Sequence, residues 1–365
     1  MQSVLTQLVD TIREAGSKKQ PLRFRGGGTK DFYGQSLVGD IVDTRGYAGI
    51  VDYDPAELVI TARCGTELRE IEAVLAESGQ CLPFEPPHFR IDSAQSTATI
   101  GGAFAAGLSG PRRQSVGALR DFVLGAKLVD GNAQLLSFGG QVMKNVAGYD
   151  VSRLLAGSLG TLGLVTEISL KVLPIPAATL TLEFQMNQES ALEFFNKCTS
   201  QPLPIAATAW FEDTALVKLA GARAAVRAAT QKLGGQALPE QMAKEQWEGL
   251  RGQSHDFFAR HHSEPLWRIA VPSVAPALRL KGEQLVEWGG GQRWWHAPDD
   301  HLATAEQVRL AARAVGGHAT LFRNGEKSNG VFTMLPPAAW AIHKRLKATF
   351  DPMGIFGVDR MYVGL

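Results

Sequence analysis

The sequence predicts an α+β protein of more than one domain, on three observations. Its 365 residues exceed what one ordinary hydrophobic core organises. Up to about residue 173, short β-rich runs alternate with helical patterns, with glycine-rich loops between them. After Pro174 and Pro176 the pattern restarts as strand–helix–strand–strand–helix, the order of an α+β unit on an antiparallel sheet.

The elements follow in order. In MQSVLTQLVDTIREAG, Val4, Leu5, Leu8, Val9 and Ile12 mark one face of a helix ending near Gly16. The stretch has no basic segment followed by an apolar run, so it reads as a helix and not as a signal peptide. PLRF is a short strand leading into Gly26-Gly27-Gly28. ELVITARC is a strand that stops at Gly65, and Thr66 is expected to cap a helix lined by Leu68, Ile71 and Leu75. Asp130-Gly131-Asn132 divides two apolar runs and predicts a hairpin. Asp150 is expected to cap a short helix. In GLVTEISLKVLP, Ile168, Leu170 and Val172 face one way, and Glu167, Ser169 and Lys171 the other.

Beyond the proline pair, Leu180, Leu182, Phe184 and Met186 alternate as a strand. ESALEFFNKC is a helix, AATAWFEDTALVKLAG a hairpin, and ARAAVRAATQKL a helix closed by Gly234-Gly235. PLWRIAVP, GQRWWHA and GHATLFR read as strands. ALRLKGEQLVEW, TAEQVRLAARAV and AAWAIHKRLKATF read as helices.

Composition narrows the function. With 37 basic and 36 acidic residues the chain has no global basic field, which argues against a nucleic-acid binder. No apolar run approaches the roughly 18 residues that span a bilayer. A cytoplasmic protein is expected, or one peripheral at the inner membrane through partner subunits. Cys64, Cys81 and Cys198 form no C-x-x-C pair, so no iron–sulfur or structural zinc set is expected; buried apolar roles are.

Three stretches are rich in bare backbone: RFRGGGTK, STATIGGAFAAGLSGPRR and KNVAGYDVSRLLAGSLGTLG. Backbone N–H groups without side chains in the way can converge on phosphate oxygens. A single helix end offers only about 0.3–1 kcal/mol, so an extended diphosphate needs several loops. RGGGTK lacks the spacing of a P-loop, and no G-x-G-x-x-G joins the first strand to a helix as a Rossmann site requires. Each stretch also has a structural alternative: a flexible turn at Gly26–Gly28, close helix packing at Ile100–Gly107, and a helix start at Asp150.

Together these motifs resemble the vanillyl-alcohol-oxidase (PCMH) type of FAD-binding family. IVDYDPAELVITARCGT, LPFEPPH, SGPRR, VMKNVAGYDVSRL, PLWRIAVPS and GGHATLFR are similar, within it, to the FAD-binding E subunits of bacterial glycolate oxidase, over essentially the whole chain. The resemblance implies a PCMH-type FAD-binding domain of two α+β subdomains over residues 1–175. An α+β cap domain with an antiparallel sheet would span 176–335, and a C-terminal helix and tail, 336–365, would return to the FAD domain. It implies that Gly26, Gly27, Gly28 and Thr29 hold the FAD pyrophosphate, joined by Thr99, Gly101 and Gly102 from the other side. Gly107 and Ser109 would lie nearer the flavin, and Gly160, Gly163 and Val165 along the ribose and adenine. Where some relatives carry a flavin-linking histidine this chain has Gly28-Thr29, so non-covalent FAD is implied.

The resemblance further implies a multi-subunit enzyme oxidising glycolate, and D-lactate, to the 2-oxo acid. Its partners would be a sister FAD subunit and an iron–sulfur subunit. The chain departs from related 2-hydroxy acid dehydrogenases in lacking their histidine-rich cap motif. A role in electron transfer or assembly beside a catalytic sister subunit is therefore expected. The alternatives are a self-sufficient FAD-dependent oxidase and an assembly subunit that has lost FAD. No catalytic residue and no metal ligand set emerges: His318 stands alone, and His261 and His262 are adjacent. Arg268 and Arg323 are the candidate cations for a substrate carboxylate, with surface salt bridges as the alternative for each. Trp288, Trp294 and Trp295 are expected to pack the cap. A second departure is Phe356-Gly357-Val358-Asp359-Arg360, where the family often has F-N-P-G followed by Arg or Lys.

Overall fold

The computed structural model describes residues 1–89, 97–140, 149–298 and 302–365. Most of KNVAGYD, up to Gly148, lies outside them, as do Ser96 and the residues just before it. The chain divides into two units. One comprises Met1–Leu108, Ala118–Pro174 and Met334–Leu365, the other Ser109–Gly117 and Ile175–Thr333.

In the first unit the helix Gln2–Lys18 buries Leu5, Leu8, Ile12 and Ala15, and stops where Lys19 turns left-handed. That stripe packs with Leu22, Val42, Cys64, Leu164 and Phe356 into one core. Strand Leu22–Arg25 runs parallel to Asp40–Asp43, and the glycine triplet follows at its end. A five-stranded antiparallel sheet has the order Ile50–Asp54, Val59–Arg63, Leu164–Lys171, Val123–Val129, Leu135–Gly139. Its central strand alternates as expected, with Ile168 and Leu170 about 1% exposed. The hairpin forms at Asp130, whose Oδ1 accepts from the N–H groups of Asn132 and Gln134. Asp150 caps Val151–Leu155 by accepting from Arg153 N–H.

Thr66 corrects one expectation. Helix Leu68–Glu77 has Glu67 at its N-cap with no side-chain cap bond. Thr66 Oγ1 accepts from Gly49 N–H and donates to Arg63 O, tying two strand ends together. Turn bonding outcompetes capping because the hydroxyl meets partners on both sides.

In the second unit eight strands form one antiparallel sheet. Their order is Gln236–Ala237, Ala178–Gln185, Thr214–Gly221, Ile205–Phe211, Gln284–Glu287, Gln292–His296, Leu266–Ala270, His318–Arg323. Helices Gln188–Thr199 and Arg223–Leu233 cover Leu182, Val217 and Leu219. Helix Leu302–Ala314 sets Val308 and Ala312 against Trp267, Ile269 and Leu321.

The helix expected over ALRLKGEQLVEW is instead an irregular segment followed by the strand Gln284–Glu287. Gly282 has φ +120°, which ends any helical run, and Leu285 and Val286 are fully buried between two neighbouring strands. Tertiary pairing overrides the local helical pattern. Helices Glu240–Gly252 and Asp256–Arg260 are additional elements.

Candidate functional site

In the first unit a cleft with about 750 Å³ of empty space opens along the glycine triplet. It is lined by Arg23 to Asp31, by Thr99, Gly102, Ala105 and Ala106, by Leu159 and Gly160, and by Gly357, Val358 and Arg360. Strand register explains Arg23 and Arg25, which stand two residues apart and so share a face. With Lys30 and Arg360 they give four cations against one carboxylate, Asp31, which Arg25 pairs at 2.8 Å. The lining therefore suits an anion.

The backbone supplies the donors. Among the described residues, the N–H groups of Gly26, Gly27, Gly28 and Thr29 have no hydrogen-bond partner. Buried or half-buried N–H groups are rarely left so, and four in succession form a cradle for an oxyanion. The triplet is bare for two reasons. A Cβ on Gly26 or Gly27 would collide with Thr99 or with the Thr97 carbonyl, so the two loops touch only without side chains. Gly28 has φ +71°, and the Arg25 guanidinium lies where its side chain would be.

Thr99 is the N-cap of helix Ile100–Ala106, its side chain accepting from Gly102 N–H at 3.2 Å. Gly101 donates to Cys64 O at 2.9 Å and packs on that residue. The first N–H groups of this helix are thus satisfied within the protein, and the open donors are those of the triplet. Burial pushes the Cys64 thiol up to about 12, which keeps it protonated and inert.

Of the residues expected to meet the cofactor, the cleft brings together Gly26, Gly27, Gly28, Thr29, Thr99, Gly102 and Gly160. Gly101, Gly107, Gly163 and Val165 do not line it. Gly107 is the left-handed cap of helix Ile100–Ala106, packed on Gly157. Gly163 fits against Leu128 and Val129, and Val165 pairs with Leu128 in the sheet. Ser109 opens the segment that belongs to the second unit.

Arg360, at the Arg-or-Lys position of the family's closing run, also lines the cleft, a place that sequence reasoning did not assign to it. It is 7% exposed and donates to the carbonyls of Asp31, Tyr33 and Gln35, which shapes the loop after the triplet. Burial lowers its pKa to about 10. Residues 355–357 run beside the first strand: Leu22 N–H donates to Ile355 O at 2.7 Å, and Gly357 N–H to Leu22 O at 3.0 Å. Lys347 anchors this tail, donating to Thr161 O, Phe356 O and Asp351 Oδ2.

In the second unit Arg323 is engaged by Gln253 Oε1, and burial lowers its pKa to about 10. Arg268 is half-buried and bonded to the neutral Gln292 at 2.6 Å. Trp295 packs in the core beside Trp267, whereas Trp288 donates to Gly110 O and Trp294 to Glu287. His318 is exposed. No described helix is long and apolar enough to cross a membrane.

The profile of the FAD binding domain family matches residues 5–139. The chain is 44% identical to the glycolate oxidase subunit GlcE of Escherichia coli K12, over 98% of this chain and 97% of that protein. It is 35% identical to the glycolate oxidase subunit GlcD of Bacillus subtilis 168, over 36% of this chain and 27% of the relative. A solved structure of alkyldihydroxyacetonephosphate synthase superposes with a TM-score of 0.66 at 15% identity, over 96% of this chain and 74% of that one. That likeness speaks for the fold.

Proposed function

The chain belongs to the family of the glycolate oxidase subunit GlcE, and on that premise we propose that it is the FAD-holding subunit of a multi-subunit enzyme oxidising glycolate to the 2-oxo acid. The observation that carries this is the run of four open N–H groups from Gly26 to Thr29 in a cationic cleft. An FAD diphosphate would take those donors, with Arg23, Arg25 and Lys30 balancing its charge. Gly28-Thr29 stand where some relatives carry a flavin-linking histidine, so no covalent bond would form at that place, and the cofactor is read as non-covalent. FAD, when bound, supplies the acceptor for the two electrons leaving the substrate α-carbon.

The chain's own part is to hold and enclose. Thr97 and Thr99 seat the triplet, and Arg360 fixes the loop beyond it. On the family likeness Gly101 would join at the pyrophosphate, Gly107 and Ser109 would lie toward the flavin end of the cofactor, and Gly163 and Val165 toward its ribose and adenine. The three cysteines offer no cluster ligand set, so electrons would pass to an iron–sulfur partner subunit, with a sister FAD subunit leading the oxidation.

A second reading, in which this chain binds and oxidises the 2-hydroxy acid itself, is favoured by Arg268. Its guanidinium is held by a neutral amide and keeps its charge available for a carboxylate, whereas Arg323 is already engaged. D-lactate, one carbon larger than glycolate, belongs to the same class.

The test is the absorption spectrum of the purified chain. Flavin bands, near ~375 and ~450 nm for any flavin, together with a higher Tm on adding FAD, support the cofactor assignment. Their joint absence overturns it in favour of a subunit that has lost FAD. Rapid bleaching by glycolate without partners, in the absence of oxygen, selects the second reading over the first.

A further inference from the structure

Strand Leu266–Ala270 sends Trp267 and Ile269 into the core and Arg268 to the opposite face. There Arg268 Nε donates to Gln292 Oε1 at 2.6 Å, and the guanidinium lies over the Trp288 ring at 5.3 Å. Gln292 Nε2 donates to Glu287 Oε2 at 2.9 Å, and Trp294 Nε1 donates to the same oxygen at 2.6 Å. Glu287 and Gln292 are each 3% exposed. Sheet register builds the row, with Glu287 opposite Gln292 and Arg268 opposite Trp294.

The polarity of this row is decided at Arg268. A guanidinium only donates, so the Gln292 amide must turn its oxygen toward Arg268 and its nitrogen toward Glu287, whose Oε2 accepts from it. The guanidinium is thereby oriented by a neutral group, and no carboxylate among the described residues forms an ion pair with it. A carboxylate in the place of Gln292 would orient Arg268 equally well, but would also neutralise it.

We propose that Gln292 and Glu287 are positioning residues that aim the Arg268 guanidinium at the carboxylate of a small 2-hydroxy or 2-oxo acid. This rests on the glycolate-class reading above for its choice of ligand. Glu287 Oε2, by accepting from the Gln292 amide nitrogen, keeps the amide oxygen turned toward Arg268, and a neutral amide leaves Arg268 cationic.

The experiment uses the FAD-loaded chain and oxamate, a two-carbon carboxylate with no α-hydrogen to surrender, followed by tryptophan fluorescence from Trp288 and Trp294. The wild type gives a saturable change. Gln292→Glu weakens oxamate about ten-fold or more at the alkaline end of the range, where the new carboxylate is ionised and pairs with Arg268. Pairing with Arg268 favours its ionised form and the neighbouring Glu287 carboxyl its protonated form, so the loss shrinks as pH falls, a pH profile that loose packing would not produce. Glu287→Gln, which frees the amide to turn over, weakens oxamate about three-fold or more at unchanged FAD content and serves if Gln292→Glu does not fold. If Arg268→Met abolishes the response while Gln292→Glu and Glu287→Gln bind as the wild type at every pH, the positioning role is overturned and the arginine anchor stands. If Arg268→Met binds oxamate normally, the anchor and the positioning role both fall. If the wild type ignores oxamate although glycolate reduces its flavin, the proposal falls and the glycolate reading stands.

Discussion

Gln35 and Arg360 hold each other by backbone and side chain together. Gln35 N–H donates to Arg360 O at 2.9 Å, and Arg360 Nη1 donates back to Gln35 O. The same guanidinium reaches Asp31 O and Tyr33 O. One side chain late in the chain therefore fixes the loop that leaves the glycine triplet.

Arg360→Met leaves three carbonyls, two of them buried, without their donor. A loss of about 3 kcal/mol in unfolding free energy is expected, together with weaker FAD retention. Urea denaturation and flavin content after gel filtration measure the two effects. Arg360→Lys recovers only part, because an ammonium cannot reproduce the planar fork.

Gly27→Val drives a side chain into the Thr97 carbonyl and separates the two loops. Flavin content is expected to fall to a small fraction of wild type. Six of the seven tryptophans (Trp210, Trp247, Trp267, Trp288, Trp294 and Trp295) lie in the second unit. Near-ultraviolet circular dichroism should therefore stay native. Full flavin content in Gly27→Val would refute the cradle.

Non-covalent attachment predicts that acid precipitation of the holoprotein releases all flavin to the supernatant. Colour retained in the washed pellet would show a covalent link.

Lys347 and Asp351 form a buried pair at 2.8 Å, and Asp351 also accepts from Ile355 and Phe356 N–H. Burial, opposed by Asp351, lowers the Lys347 pKa. Asp351→Asn leaves the ammonium without its counter-charge, and a cost of about 3–5 kcal/mol is expected by chemical denaturation. Lys347→Met together with Asp351→Asn should recover part of that loss.

His296 is 3% exposed and packs on Phe257 and His261, with ring centroids at 4.8 and 4.9 Å. Burial, and then the charge of His261, lower its pKa to about 4. The unfolded chain binds this proton near the ordinary value of about 6.5 and the folded one does not. Stability from this group is thus present above about pH 6.5 and is lost as pH falls toward 4, by up to about 3 kcal/mol. His296→Phe removes that loss, so its advantage over wild type should grow from pH 7 to pH 4.5 in urea denaturation.

Much of the fold was legible because its signals are local. The Asp130 hairpin, the Asp150 cap and the alternation through Leu170 each depend on residues a few positions apart. Gln284–Glu287 was not legible as a strand, because only its neighbours in the sheet decide against helix. Arg23 and Arg25 were legible in principle, from two-residue alternation leading into the glycines. Arg360 was visible as the basic residue of the closing run, but its role was not, since its three carbonyl partners lie more than 300 residues earlier. The bareness of Gly26 and Gly27 was visible in the sequence, but its immediate cause, contact with Thr97 and Thr99, required the fold.

The tie between Gln35 and Arg360 also sets an order of events during synthesis. The two residues are separated by 325 positions, and the whole second unit is made between them. At ribosomal speeds of about 5–20 residues per second, the loop beside the cradle waits on the order of tens of seconds for its clamp. Cofactor capture would therefore wait until residue 360 has been made, and a chain cut short before Arg360 would carry the residues of the second unit and a first unit that lacks its clamp.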